Sequence, residues 1–580
     1  VNYNEQTKLG EIIAYRPTRD VLYRHVPELK DFPYLPFLKR SSLLELRDSK
    51  YGSSFIAGKY DELINEIIKV DVQLEPDLPY TLRNDYEPAE VEAASVPISY
   101  PSHAEQWDIF EIEIKGPDHG NPFLEVAVKA TFTQEEQSIT VAGFYDGNGI
   151  YRIRFMPGTA GEWKFKVWSN ARSMNELIGA FQVTAASMGN DGPVRVADTF
   201  HFAYESGKRH IPVGTTCYVW NHQPKALQEE TLESLKHSPF NKIRMCVFPK
   251  SYQYNHNEPE LYPYEGNPQD GFDFTKFNVA FFQMLDRQIL ALRDLGIEAD
   301  LILFHSYDRW GFSEMSKETD NGYLRYVVAR LAAYRNIWWS LANEYDLMWA
   351  KEEEDWERFA SIVTSEDPYG HLISIHNCFG FYDYTRDWVT HCSVQRVDVY
   401  RTAENTDEWR KQWNKPIVID ECAYEGNIDM GWGNITGEEM VRRFWEGAVR
   451  GGYVGHGETY LNDEEVLWWS KGGKLVGDSP ARIGFLRRIM EEGPEEGLTP
   501  YNADWDVASA AILDHYYLYY YGFNRPSYRL FNMTPGISYH VDVIDTWDMT
   551  ITRLPETVEG SFRVDLPAKQ YMAIRLTRAN

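Results

Sequence analysis

Apolar and polar residues follow different rhythms along the 580-residue chain. Through residue 80, apolar positions recur at three- and four-residue spacings. Examples are Leu9-Gly10-Glu11-Ile12-Ile13, Leu43-Leu44-Glu45-Leu46 and Leu63-Ile64-Asn65-Glu66-Ile67-Ile68, which predict amphipathic helices. Prolines at 17, 27, 33 and 36 keep those helices short. The stretch 81–100 shifts to Pro, Glu, Ala and Ser and reads as a linker or extended crossing segment. Over 101–187 the period falls to two. Phe110-Glu111-Ile112-Glu113-Ile114, Tyr151-Arg152-Ile153-Arg154-Phe155 and Trp163-Lys164-Phe165-Lys166-Val167 alternate between turns such as Asp146-Gly147-Asn148-Gly149, predicting an antiparallel β-sandwich.

Over 195–495, unbroken apolar runs alternate with helical stretches such as 281–295 and 324–333. Strands are expected at 211–219, 242–248, 297–304, 337–342, 372–375, 389–394, 416–420 and 452–455, the number a (β/α)8 barrel needs. The tail, 499–580, returns to short strands, among them Tyr516-Tyr517-Leu518-Tyr519-Tyr520-Tyr521. The expected fold is therefore a multidomain α/β and β protein. A central TIM barrel is flanked by two β-sandwiches, with a small N-terminal helical module (1–80) for packing or oligomerisation.

Two of the barrel runs end in carboxylates: Ile337-Trp338-Trp339-Ser340-Leu341-Ala342-Asn343-Glu344 and Pro416-Ile417-Val418-Ile419-Asp420-Glu421. In a parallel barrel the C-terminal strand ends face the active site. Two carboxyl groups there suit cleavage of a glycosidic bond, which needs a proton on the leaving oxygen and stabilisation of an oxocarbenium-like carbon. A gap of about 5–5.5 Å retains anomeric configuration, and roughly 6.5–9.5 Å admits a water and inverts it. The acid must keep its proton near neutral pH, which calls for an apolar surround or a negative neighbour. Trp338 and Trp339 suit that role, although their facing is not readable from the sequence.

Composition narrows the partners. A net charge of −29 argues against nucleic acid and anionic membranes. Aromatic residues at 15 %, with 18 Trp and 38 Tyr, suit stacking on sugars as well as packing in cores. No run approaches the roughly 20 apolar residues of a membrane span, and Val1-Asn2-Tyr3-Asn4 lacks a signal-peptide pattern. Cys217, Cys246, Cys378, Cys392 and Cys422 are odd in number and lie in or beside apolar runs, so free thiols and a cytoplasmic location are expected. There is no phosphate loop, GxSxG elbow or HExxH helix. No cofactor and no catalytic metal are expected, and homo-oligomerisation stays open.

The residues also carry a family resemblance. Val141-Ala142-Gly143-Phe144-Tyr145-Asp146-Gly147, Tyr151 to Pro157 and Gly161-Glu162-Trp163 resemble the sandwich domain that precedes the barrel in a group of bacterial glycoside hydrolases. Asn343-Glu344 closing the fourth strand and Glu421 closing the seventh resemble glycoside hydrolase clan A. Within it, the barrel is most similar to the apiosidase-like group, which resembles family 5. The resemblance implies Glu344 as acid/base, Glu421 as nucleophile and Asn343 on the hydroxyl beside the reacting carbon. It further implies that Arg244 holds and ionises the nucleophile and that His305 lines the sugar site. Read without it, Arg244 is equally a partner for a structural carboxylate, and His305 a hydrogen-bonded core histidine.

Strand six, His391-Cys392-Ser393-Val394-Gln395, and strand eight, Gly455-His456-Gly457-Glu458-Thr459-Tyr460, depart from the clan pattern, which makes Glu458 a third candidate carboxylate. Asn377, Gln395, Tyr424, His456 and Glu458 join the candidate substrate-binding set as rim groups, and Trp220 with His222 forms either a stacking wall or a barrel cap. The expected activity is retaining hydrolysis of O-glycosidic bonds in oligosaccharides or glycosides by two-glutamate double displacement. The alternatives are a sugar-binding or regulatory protein on a disabled barrel and a transglycosidase. The sugar, its ring form and its linkage are not legible.

Overall fold

The computed structural model describes residues 2–77, 81–502 and 504–580. Eight strands form one parallel sheet: Gly214–Thr216, Lys242–Cys246, Glu298–His305, Ile337–Asn343, Ile373–Ser374, Cys392–Gln395, Ile417–Glu421 and Tyr453–His456. Numbered one to eight along the chain, they lie in the order five-four-three-two-one-eight-seven-six. Each overlaps one of the predicted segments. All but Gln395 are buried at every residue, because helices cover the outside and side chains fill the inside, so the strands read as apolar runs without alternation. The seam between strands five and six is closed by hydroxyls: Ser374 Oγ donates to His391 O at 2.5 Å, and the Ser393 N–H donates to Ser374 Oγ at 3.2 Å.

The helix expected at 324–333 is longer, Lys317–Leu331, because Ser316 caps its start by accepting from the Thr319 N–H. The polar first turn carries no apolar periodicity, which hid it. Helices between Leu9 and Ile67 pack around Leu9, Ile12, Leu22, Leu43, Leu63 and Ile67. The segment 81–100 is not a free tether. Tyr86 stacks on His119 at 4.0 Å, and the Glu87 carboxylate accepts from the Ser173 N–H and hydroxyl, each at 2.7 Å.

Beyond it, a four-stranded and a five-stranded sheet enclose Phe110, Phe132, Phe155, Trp163 and Phe181, with Phe110 stacked on Phe181 at 3.6 Å. The C-terminal strands form a six-stranded sheet with a side strand and a separate pair. Its tyrosine strand, Tyr516–Tyr520, is buried throughout. Tyr516, Leu518 and Tyr520 belong to the barrel core, and Tyr517 and Tyr519 to the sandwich core.

Buried ion pairs tie the first sandwich to the barrel. Arg154 reaches Asp286 with two bonds of 3.0 Å, and Arg330 reaches Asp286 at 2.7 Å and Asp146 at 2.8 Å. The helical module is joined through Lys39–Glu314 at 2.8 Å, both side chains buried. A crevice of 1340 Å³ lies between this module, the first sandwich and the barrel near Phe272 and Trp310. Neither Glu344 nor Glu421 lines it.

Candidate active site

Strand four ends at Asn343, and the next residue turns sharply: Glu344 has φ 54° and ψ 56°. The left-handed conformation costs a residue with a Cβ about 1–3 kcal/mol and is characteristic of sites where a side chain must be aimed. Glu344 is buried, and the Tyr307 hydroxyl lies 3.1 and 3.0 Å from its two carboxylate oxygens. Burial raises its pKa, while the Cys378 thiol, the Lys250 ammonium and the Tyr307 hydroxyl oppose that rise.

Glu421 closes strand seven and is also buried. Burial pushes its carboxyl up to about 7, with the Tyr424 hydroxyl pulling it back. Arg244 Nη1 stands 3.8 Å from Glu421 Oε1 and favours the ionised form. The same guanidinium donates to the Tyr218 hydroxyl at 2.9 Å and to Asn343 Oδ1 at 3.0 Å, and the Tyr218 hydroxyl donates to that same Oδ1 at 3.1 Å. With its oxygen held twice, Asn343 presents Nδ2, which lies 3.3 Å from Glu344 Oε1. Glu421, Arg244, Asn343 and Glu344 thus form one connected chain.

Below them, Lys242 Nζ bridges Asp300 at 3.0 Å and Asp420 at 2.6 Å. Lys242 and Arg244 point into the barrel from alternate positions of strand two, as the period-two geometry of a strand requires.

The other candidates sit as follows. His305 is buried with both ring nitrogens engaged by backbone: Nε2 donates to Phe248 O at 3.3 Å, and Nδ1 accepts from the Tyr307 N–H at 3.1 Å. Burial holds its pKa down at about 3, so it stays neutral while placing Tyr307. Trp220 is sealed in the barrel core, and His222 donates to Cys246 O at 3.1 Å against Phe281. Asn377 clasps the Gln395 backbone at 3.2 and 2.9 Å, while the Gln395 side chain meets His376 at 3.0 Å. His456 Nδ1 lies 2.9 Å from Thr215 Oγ1. Glu458 accepts from the N–H groups of Val476 and Gly477, each at 3.0 Å. Tyr424 joins the aromatic wall described next. Trp338 and Trp339 give their indole N–H groups to Glu298 and Asp367, so neither shields Glu344.

That shielding comes from side chains of which only Tyr424 was a candidate from the sequence. Tyr218, Tyr252, Tyr307, Tyr424, Met430 and Trp469 form an apolar cluster at the strand ends, with Trp432 and Cys378 against it. Tyr307 follows the noted His305 by two positions, and Tyr218 lies in the predicted first strand. All five cysteines are free. Among the described residues, no group of three or more His, Cys, Asp or Glu is arranged to hold a metal, and no helix is long and apolar enough to cross a membrane.

Two domains of unknown function match at 103–170 (DUF5060) and 505–577 (DUF5605). No curated protein matches the chain. A crystal structure of a candidate glycoside hydrolase from Bacteroides vulgatus shares 38 % identity, covering 83 % of this chain and all of that one, with a TM-score of 0.79. A family 5 glycoside hydrolase from the same organism shares the fold: 16 % identity, 67 % of this chain, 94 % of that one, TM-score 0.55. The apiosidase-like catalytic domain matches residues 197–493, the whole span of the barrel. The chain belongs to the apiosidase-like family of glycoside hydrolases, enzymes of the clan A (β/α)8 type.

Proposed function

We propose that this glycoside hydrolase works with retention, Glu421 as nucleophile and Glu344 as acid/base. The observation that carries the reading is the Glu421–Arg244–Asn343–Glu344 chain at the ends of strands two, four and seven. In the first step Glu421 attacks the anomeric carbon while the bond to the leaving oxygen breaks and Glu344 protonates that oxygen. In the second, Glu344 takes a proton from water, the water attacks the same carbon, and Glu421 departs as carboxylate.

Each role has a physical basis. Arg244 stabilises the ionised nucleophile that burial opposes. The aromatic surround keeps Glu344 protonated long enough to donate. Asn343 Nδ2, held by the double anchoring of its oxygen, is the donor for a sugar hydroxyl beside the reacting carbon. The remaining candidates, His305, Trp220, His222, Asn377, Gln395, His456 and Glu458, act in this reading by fixing the strand ends.

The substrates proposed are oligosaccharides or simple glycosides, furanosides included, and the five free cysteines favour a reducing compartment. The same reading divides the chain at 1–80, 101–187, 195–495 and 499–580, with the chemistry in the third part. The test is a panel of aryl pyranosides and furanosides, both anomers, followed by Glu421→Ala. Turnover by wild type, lost in the variant and restored by azide as a glycosyl azide of inverted configuration, is expected. Full activity of Glu421→Ala would refute the nucleophile assignment.

A further inference from the structure

Lys250 lies just past strand two, within the aromatic cluster, and is 4 % exposed. Its Nζ sits 4.2 Å from the ring centre of Tyr218, 4.7 Å from Tyr307, 5.1 Å from Trp469 and 5.4 Å from Tyr252. The rings are sequence-distant, and their negative faces attract a cation. Yet the ammonium has three donors and, unlike Lys242, meets no hydrogen-bond acceptor and no carboxylate within ion-pair distance among the described residues. Nor is it one of the sealed, partnerless side-chain atoms, so the ammonium keeps some solvent exposure.

A buried ammonium without an acceptor is costly to maintain, and burial has pushed it down to about 8, so it is still charged at neutral pH. Glu344 is the carboxylate that acts on it, but Glu344 must be protonated to begin catalysis. At that moment Lys250 has no countercharge. The other cations nearby are already matched, Lys242 by Asp300 and Asp420, and Arg244 by Glu421.

We infer that Lys250 is an anion-recognition residue of the glycone subsite, and that the preferred substrates carry a carboxylate on the sugar ring that is cleaved, as hexuronides do. The glycone side is indicated because the ring nearest Lys250, Tyr218, is the one whose hydroxyl bonds Arg244 and Asn343 between the two glutamates. A neutral hydroxyl would accept one hydrogen bond but leave the charge uncompensated; a carboxylate does both. The inference rests on Glu344 being the acid.

The experiment compares matched 4-nitrophenyl hexosides and hexuronides, both anomers of the gluco and galacto series, with wild type, Lys250→Met and Lys250→Arg. Wild type is expected to prefer one hexuronide over its hexoside by about a hundredfold in kcat/KM, with most of the difference in KM. Lys250→Met is expected to collapse that ratio to within a few-fold, and Lys250→Arg to keep part of it. Equal wild-type rates on both members of a pair, or an equal loss on both in Lys250→Met, would overturn the inference while leaving the glycosidase reading intact. If no pair is cleaved, equilibrium binding of free glucuronate and galacturonate against glucose and galactose decides. Absence of carboxylate-dependent binding by wild type would equally overturn it.

Discussion

Glu421→Gln is expected to make the protein more stable at alkaline pH and to leave its stability at acid pH nearly unchanged. The Glu421 carboxyl is buried and is raised from 4.5 to about 7, burial being the main cause. A carboxyl raised on folding favours the folded state fully below its unfolded pKa of 4.5, and that contribution is lost as pH rises through about 7. Each pKa unit is worth about 1.4 kcal/mol, so at pH 8.5 the folded protein carries a penalty of up to about 3.5 kcal/mol for the buried anion.

Gln keeps the shape and never ionises. For a domain of 150–250 residues 1 kcal/mol moves the melting temperature by about 2–4 °C, and the barrel is larger, so a gain of about 5 °C is the upper expectation. Arg244, 3.8 Å away, returns part of the penalty to wild type. The assay is calorimetric melting of both proteins at pH 5 and pH 8.5. A gain confined to pH 8.5 supports the reasoning. An offset of the same size at both values, or a wild type that is the more stable at pH 8.5, refutes it.

Glu344→Gln should lower kcat/KM for glycosides of poor leaving groups by about 10²–10⁴-fold. Dinitrophenyl glycosides, which need little protonation, should lose far less in a comparison of leaving groups. Tyr307→Phe removes one of the groups that, with Cys378 and Lys250, oppose the burial-driven rise of the Glu344 pKa. The alkaline limb of the kcat/KM profile should therefore move to higher pH, whereas an unmoved limb would separate Tyr307 from the acid. Asp286→Ala removes the carboxylate shared by Arg154 and Arg330 in the interface between sandwich and barrel, leaving them Glu111 and Asp146. It should destabilise the protein by about 3–5 kcal/mol in denaturant unfolding, with Asp286→Asn milder.

The barrel was legible because parallel strands buried on both sides leave uninterrupted apolar runs, and the two glutamates were legible because they end such runs. The start of helix Lys317–Leu331 was hidden by its polar first turn. What surrounds the glutamates was not legible, because it is assembled from distant segments. Lys250 meets rings from residues 218, 252, 307 and 469, and no local spacing encodes that cage. Trp338 and Trp339 lie on the strand that leads to Glu344 yet give their indole N–H groups to Glu298 and Asp367. The ion pairs of Arg154 with Glu111 and Asp286 likewise span chain separations that periodicity cannot reveal.

The most direct test of the account is to trap the glycosyl-enzyme. Wild type is incubated with the 2-deoxy-2-fluoro glycosyl fluoride of the glycone identified by the aryl panel, then digested and mapped by mass spectrometry. The account predicts one adduct, on the peptide that contains Glu421. A label on Glu344 or Glu458, or turnover with inverted product and no adduct, would contradict it.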